Sequence, residues 1–207
     1  MDTEEFLNIM HRAEKLKCNT RHSWTSSGRH ESVAEHSWRL CLMAMLLEHE
    51  LKTEFPEADF AKILRMCVIH DLGEAFTGDI PAFEKSEADG AKEERLLEEW
   101  MGGFSQPYGT EMCGLLREMD ARSTAEARIY KALDKLEAVI QHNEADIGTW
   151  LPLEYDLQLS YAEESTGFSS VLHALKEQVN ADTRKKIRAA GNGQHKTEAA
   201  EKDEAAR

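Results

Sequence analysis

The sequence predicts an all-α chain, a single-domain bundle of six or more helices around one core. Apolar residues recur at helical spacing in segment after segment, as in Phe6, Ile9, Met10, Ala13 and Leu16 or Ile129, Leu133, Leu136 and Ile140. No segment shows a convincing alternating strand pattern. The length of 207 residues, with 41% hydrophobic and 31% charged content, is enough for one well-buried core and too little for two full domains.

In chain order, residues 3–18 read as a first amphipathic helix. It stops before NTRHSWTSSGRHES, a polar loop rich in Ser and Gly that displays Arg21, Trp24, Arg29 and His30. Such a loop is either plain solvated connection or the wall of a small-ligand site, since loops carry binding groups disproportionately. Ser32 and Glu35 have the spacing of a capping box ahead of an apolar run. A helix therefore starts there and continues to about Glu50, with Leu40, Leu42, Met43, Leu46 and Leu47 along it. His36 falls in its first turn and, taken alone, reads as a core or surface histidine.

Pro56 stands at the start of the next helix, where proline is well tolerated. Its buried stripe is Phe60, Ile63, Leu64, Cys67 and Val68, and it ends near Leu72 or Phe76. Gly78, Pro81 and Gly90 punctuate the loop that follows. Residues 87–101 form a charged helix with Leu96, Leu97 and Trp100 inward, broken by Gly102, Gly103 and Pro107. Further helices cover 108–122 and 124–144, the second capped by Thr124. Asp134 sits beside its apolar stripe and by itself reads as a solvated carboxylate. Residues 151–159 are irregular or briefly helical, and 168–190 form a closing helix. From Gly191 onward no large apolar residue remains, so the domain spans 1–190 and residues 191–207 form a disordered tail.

The formal net charge of -14 argues against tight binding of long nucleic acids, where many phosphates need Lys and Arg. A single phosphate ester remains compatible, because one divalent cation reverses the local field. Cys18, Cys41, Cys67 and Cys113 are scattered without a C-x-x-C pair, which excludes zinc-finger and disulfide-scaffold readings and suits a reducing interior. The N-terminus lacks a long apolar region of the signal-peptide kind, and no run approaches a membrane span; the expected compartment is the cytoplasm.

The chemistry concentrates in ILRMCVIHDLGEAFTGDIP, residues 63–81. His70, Asp71, Glu74 and Asp79 arrive within ten positions at the end of an apolar run, where isolated charge is costly unless a cation or partner is shared. His70 and Glu74 stand four apart and Asp71 and Glu74 three apart, neighbours on a continuing helix. Imidazole and carboxylate together suit divalent transition metals, so the stretch reads as a metal site whose other ligands lie elsewhere in the chain.

An upstream His at a helix start, His-Asp at a helix end and a distant Asp in a helix resemble the H…HD…D signature of the HD-domain metal-dependent phosphohydrolases. The matching positions are His36 in ESVAEHSWRL, His70 and Asp71 in IHDLGEAFTGDIP, and Asp134 in ALDKLEAVIQ. The wording around them is similar to the 5′-deoxynucleotidase-like branch, from about Leu7 to Glu177. The resemblance implies the HD-domain fold and one divalent metal held by His36, His70, Asp71 and Asp134: cobalt, manganese or another transition ion, with magnesium or zinc possible. It further implies that Glu74 helps activate the attacking water, Asp79 meets the sugar hydroxyl, Arg21 contacts the phosphate, and Trp24 walls the sugar against a 2′-hydroxyl. The loop from Trp24 to His36 is shorter than in that branch.

The implied reaction is hydrolysis of a deoxyribonucleoside 5′-monophosphate to deoxynucleoside and phosphate. Hydrolysis of another nucleotide, an alarmone or a nucleoside triphosphate, keeps the same metal site; a non-catalytic nucleotide sensor is the reading from a different class. The implied partner is a small nucleotide, without long nucleic acid or membrane, and by analogy the chain is a homodimer.

Overall fold

The computed structural model describes the backbone of residues 1–204 and the side chains of residues 1–191. The disordered tail expected over 191–207 falls on residues whose side chains lie outside that description. Helices dominate, as the sequence predicts. The first helix is broken at Glu14 into α1 (Thr3–Ala13) and α2 (Lys15–Cys18). The expected polar loop is instead a small antiparallel hairpin, β1 (Thr20–Trp24) with β2 (His30–Ser32). Its turn is closed by Thr25 N–H donating to the Arg29 carbonyl at 2.7 Å. Gly28 supplies the left-handed φ of 81° that the reversal needs.

The capping box forms as predicted: Ser32 Oγ accepts from Glu35 N–H, and the Glu35 carboxylate accepts from Ser32 N–H at 2.8 Å. It starts α3 (Val33–Leu46), which yields to α4 (Glu48–Glu54) rather than running on to Glu50. Asp59, not Pro56, opens α5 (Phe60–Ile69), its carboxylate accepting from Lys62 N–H at 3.1 Å. Phe60, Ile63 and Cys67 are buried as expected, but Val68 is 55% exposed, one position past the stripe. The helix stops at Ile69; turns through Gly73 lead to α6 (Glu74–Thr77), which Gly78 ends at a φ of 76°.

Then come α7 (Glu87–Gly102), α8 (Tyr108–Ala121) and α9 (Ala125–Glu144), the last capped by Thr124 as predicted. After a 3-10 turn at Ile147–Thr149, α10 (Glu154–Ser160), α11 (Glu163–Thr166) and α12 (Ser170–Glu204) close the chain. The bundle is built around α9, which packs against α3, α5, α8, α11, α12 and the hairpin strand β1. Leu40, Ile63, Met66, Ile129, Leu133 and Leu136 form its fully buried centre. Among the described residues no helix is long and apolar enough to cross a membrane.

One core residue carries a pH signature of its own. Lys176 on α12 is fully buried, its ammonium donating to the Gln158 carbonyl at 3.1 Å and to Asn180 Oδ1 at 2.7 Å. Burial outweighs the nearby Glu163 and Glu177 and lowers its pKa from 10.5 to about 8. Between those two values the unfolded chain keeps a proton that the folded chain has released, so this residue makes stability rise with pH across that window. The expected rise in denaturant stability between pH 8 and pH 10 is about 1–3 kcal/mol. Replacing Lys176 with Met is expected to remove it; an equal rise in that variant would place its source elsewhere.

Candidate metal centre and active site

The four expected ligands come from three helices that share the core. His36 enters from the first turn of α3, His70 and Asp71 leave the end of α5, and Asp134 projects from the middle of α9. Their donor atoms converge. His36 Nε2 lies 3.2 Å from His70 Nε2 and 3.1 Å from Asp134 Oδ1. Asp71 Oδ2 lies 3.0 Å from His70 Nε2 and 3.8 Å from His36 Nε2, and Asp134 Oδ1 lies 3.6 Å from His70 Nε2.

These separations fit ligands of one ion. Atoms each about 2.1 Å from a common cation stand about 3.0 Å apart at a right angle and about 3.4 Å apart at a tetrahedral angle. The tautomers fit too. His70 Nδ1 is 2.9 Å from the Cys67 carbonyl, which can only accept, so the proton sits on Nδ1 and Nε2 offers a lone pair inward. His36 Nδ1 faces the Glu137 carboxylate, which orients its ring the same way. Two imidazole lone pairs aimed at each other repel unless a cation or a proton lies between them.

The electrostatics carry the same demand for positive charge. Burial opposes the charged form of His70, yet Asp71 and Asp134 outweigh it and push its pKa up to about 10. The carboxyl of Asp134 is held well below its ordinary range; burial works against this, but Lys131 and both imidazoles prevail. A divalent cation answers the same field with two charges at one point.

Glu74, at the start of α6, is 5% exposed, and its Oε2 has no hydrogen-bond partner among the described residues. Burial first, then Asp71 and Asp79, push its carboxyl up to about 9. Arg21 on β1 reaches Asp71 Oδ2 at 3.8 Å and Glu31 Oε2 at 3.7 Å. Arg21 and Asp79 line one recess of about 100 Å³, together with His22, Phe83 and Tyr161. A second recess of about 270 Å³ opens on His70 and Asp71 and is edged by Lys85, Arg122 and Lys131. Trp24 lines neither: its ring packs 4.0 Å from that of His30, and its carbonyl accepts from Gln141 Nε2 at 2.7 Å.

Residues 13–176 match the family model described as the HD domain. The chain belongs to the HD-domain family. Among curated relatives, the 5′-deoxynucleotidase HDDC2 of Dictyostelium discoideum is 32% identical over 133 residues, covering 61% of this chain and 70% of that protein. The human 5′-deoxynucleotidase HDDC2 is 26% identical over 142 residues, 67% of each chain. A crystal structure from Magnetospirillum magnetotacticum, described as a predicted metal-dependent phosphohydrolase, superimposes with a TM-score of 0.71 at 29% identity. The match covers 88% of this chain and 93% of that one.

Sequence reading left out the supports of this HD-domain centre. Glu137 is fully buried between His36 and Arg39, whose Nε donates to it at 2.6 Å, and it stands three positions after Asp134 on α9. That spacing was the available signal. Lys131, three positions before Asp134, donates to its outer oxygen at 2.7 Å. Glu31 is 3% exposed, and burial first, then Glu137, raises its carboxyl to about 7. A Glu137→Gln chain is expected to bind its divalent ion about 10–100-fold more weakly while remaining folded. Metal titration with melting as a control checks this; an unchanged metal affinity would deny Glu137 its orienting role.

Proposed function

We propose that this HD-domain chain is a metal-dependent phosphomonoesterase that removes the 5′-phosphate from deoxyribonucleoside 5′-monophosphates. What carries the reading is the convergence of His36, His70 and Asp71, with Asp134 in reach of both imidazoles, near a buried carboxyl with an unpartnered oxygen, Glu74, whose charged form Asp71 opposes. The relatives described as 5′-deoxynucleotidases supply the substrate class.

In this reading His36, His70, Asp71 and Asp134 hold one divalent ion; cobalt and manganese suit a mixed imidazole and carboxylate set. When bound, the ion lowers the pKa of water and polarises a phosphoryl oxygen. A cation held beside Asp71 would favour the ionised form of Glu74, which would then take a proton from the attacking water or orient it for in-line displacement. Arg21 sets its planar fork against the phosphate oxygens, and its neighbours Asp71 and Glu31 hold it fully charged. Asp79, which lines the recess beside His22 of the hairpin, accepts from the sugar hydroxyl. A sugar-facing role for Trp24 requires its ring to leave His30; His22 and Phe83, edge to face at 5.3 Å, already wall the recess.

The test is phosphate release from a panel of deoxynucleoside and ribonucleoside mono- and triphosphates, with Co, Mn, Mg, Zn or chelator. Release from deoxynucleoside monophosphates that chelator abolishes is the expected result. No release with any metal would leave the nucleotide sensor as the better account.

A homodimer is part of the proposal. Trp38, Met45 and Leu46 on α3 are 64%, 60% and 71% exposed, and Val68 on α5, a helix packed against α3, is exposed as well. A row of this kind suits a face shared between copies. Sedimentation at twice the chain mass, lost on Leu46→Asp, is the expected outcome.

A further inference from the structure

A third recess, lined mostly by cations, lies beside the metal centre. It occupies about 270 Å³, and four cations line it: Arg122, Arg128, Lys131 and Lys135. Three of them, at positions 128, 131 and 135, follow one stripe of α9. The fourth, Arg122, is turned in by the left-handed residue that closes α8, with a φ of 49°.

The gathering runs against the composition. Acidic residues outnumber Lys and Arg by 39 to 25, so a cation placed at random finds a carboxylate easily. Among the described residues only Lys131 of the four pairs with one, Asp134 at 2.7 Å. The others rest on aromatic faces instead: Arg128 lies 4.0 Å from the centre of Phe168 and Lys135 5.4 Å from that of Tyr161. One acid, Glu164, stands at the wall without forming an ion pair to any of them. Like charges held together this way are destabilising unless an anion joins them.

We infer that the pocket of Arg122, Arg128, Lys131 and Lys135 binds a multiply charged phosphate anion, either free pyrophosphate or the phosphate tail of a nucleotide. Several cations converging on one small volume match an anion whose charge is concentrated, and two guanidinium forks suit phosphoryl oxygens. Long polyanions are disfavoured by the net charge of -14. Lys131 and Arg122 line both this pocket and the recess that opens on His70 and Asp71, so a bound anion would sit next to the reaction centre. The pocket stands independently of the substrate named above.

The experiment is calorimetric titration of the metal-loaded full chain with sodium pyrophosphate and, separately, with dATP, with metal content measured before and after. Wild-type protein is expected to bind pyrophosphate saturably. The Arg128→Gln, Lys135→Gln double variant, which touches no metal ligand, is expected to bind at least about tenfold more weakly, each charge-assisted bond being worth a sizeable part of that loss. A Lys135→Arg variant, which keeps the charge, is expected to stay near wild type and controls for folding. Equal sensitivity of dATP to the double variant identifies the nucleotide tail as ligand; sensitivity of pyrophosphate alone identifies the free anion. Unchanged affinity in the double variant, equal weakening in Lys135→Arg, or no saturable binding by wild type would overturn the inference.

Discussion

Glu74→Gln is expected to keep its divalent ion and lose about 10²–10⁴-fold in kcat, the usual worth of a positioned general acid or base. The substitution keeps the shape of a side chain that is 5% exposed, so the fold is preserved. It removes the ability to accept a proton and nothing that holds the ion, since the proposed ligand set is His36, His70, Asp71 and Asp134. KM for the monophosphate is therefore expected to change little. The decisive pair of measurements is metal content and single-turnover rate. Full metal occupancy with full activity would take Glu74 out of the chemistry and leave its orphaned oxygen without a function.

The larger loss belongs to Asp134. Asp134→Asn removes the one carboxylate that α9 contributes to the cluster and leaves Lys131 facing a neutral group at the distance where it now donates at 2.7 Å. Both effects oppose a cation: one ligand charge disappears and a nearby positive charge loses its counterion. Metal retention is expected to fail under dialysis. With it goes the lowering of the water pKa from about 15.7 toward about 7, so the rate is expected to fall by at least about a thousandfold. Elemental analysis and phosphate release check the two halves together. A variant that loses activity while keeping stoichiometric metal would show that Asp134 positions substrate and does not ligate.

Three of the four converging side chains were legible because they lie at local landmarks. The Ser32 and Glu35 capping box fixes the start of α3 and hence the inward turn of His36. The apolar run ending at Ile69 places His70 and Asp71 at the mouth of the core. Asp134 was legible only through its resemblance in ALDKLEAVIQ, for nothing local separates it from a solvated acid. The hairpin was not legible, because TRHSW and HES are polar and short. What holds them is remote in sequence, above all Gln141 donating to the Trp24 carbonyl at 2.7 Å. Nor do apolar residues announce which of them stay outside: Leu46 and Val68 look like core until α5 and α9 take up their neighbours. The basic pocket needed the left-handed turn at Arg122, which no pattern in the chain foretells.

That hairpin divides the labour of the molecule. Every side chain of the proposed ion cage sits in, or directly after, one of three core helices packed on one another, whereas Arg21 rides on a ribbon attached outside them. Changes confined to its turn, from Trp24 to Arg29, are expected to alter how Arg21 meets a phosphate ester while the capping box of Ser32 and Glu35 keeps His36 in place. Diversification of substrate within such a scaffold is thus cheap in stability, and new specificities are most readily sought between Trp24 and Arg29.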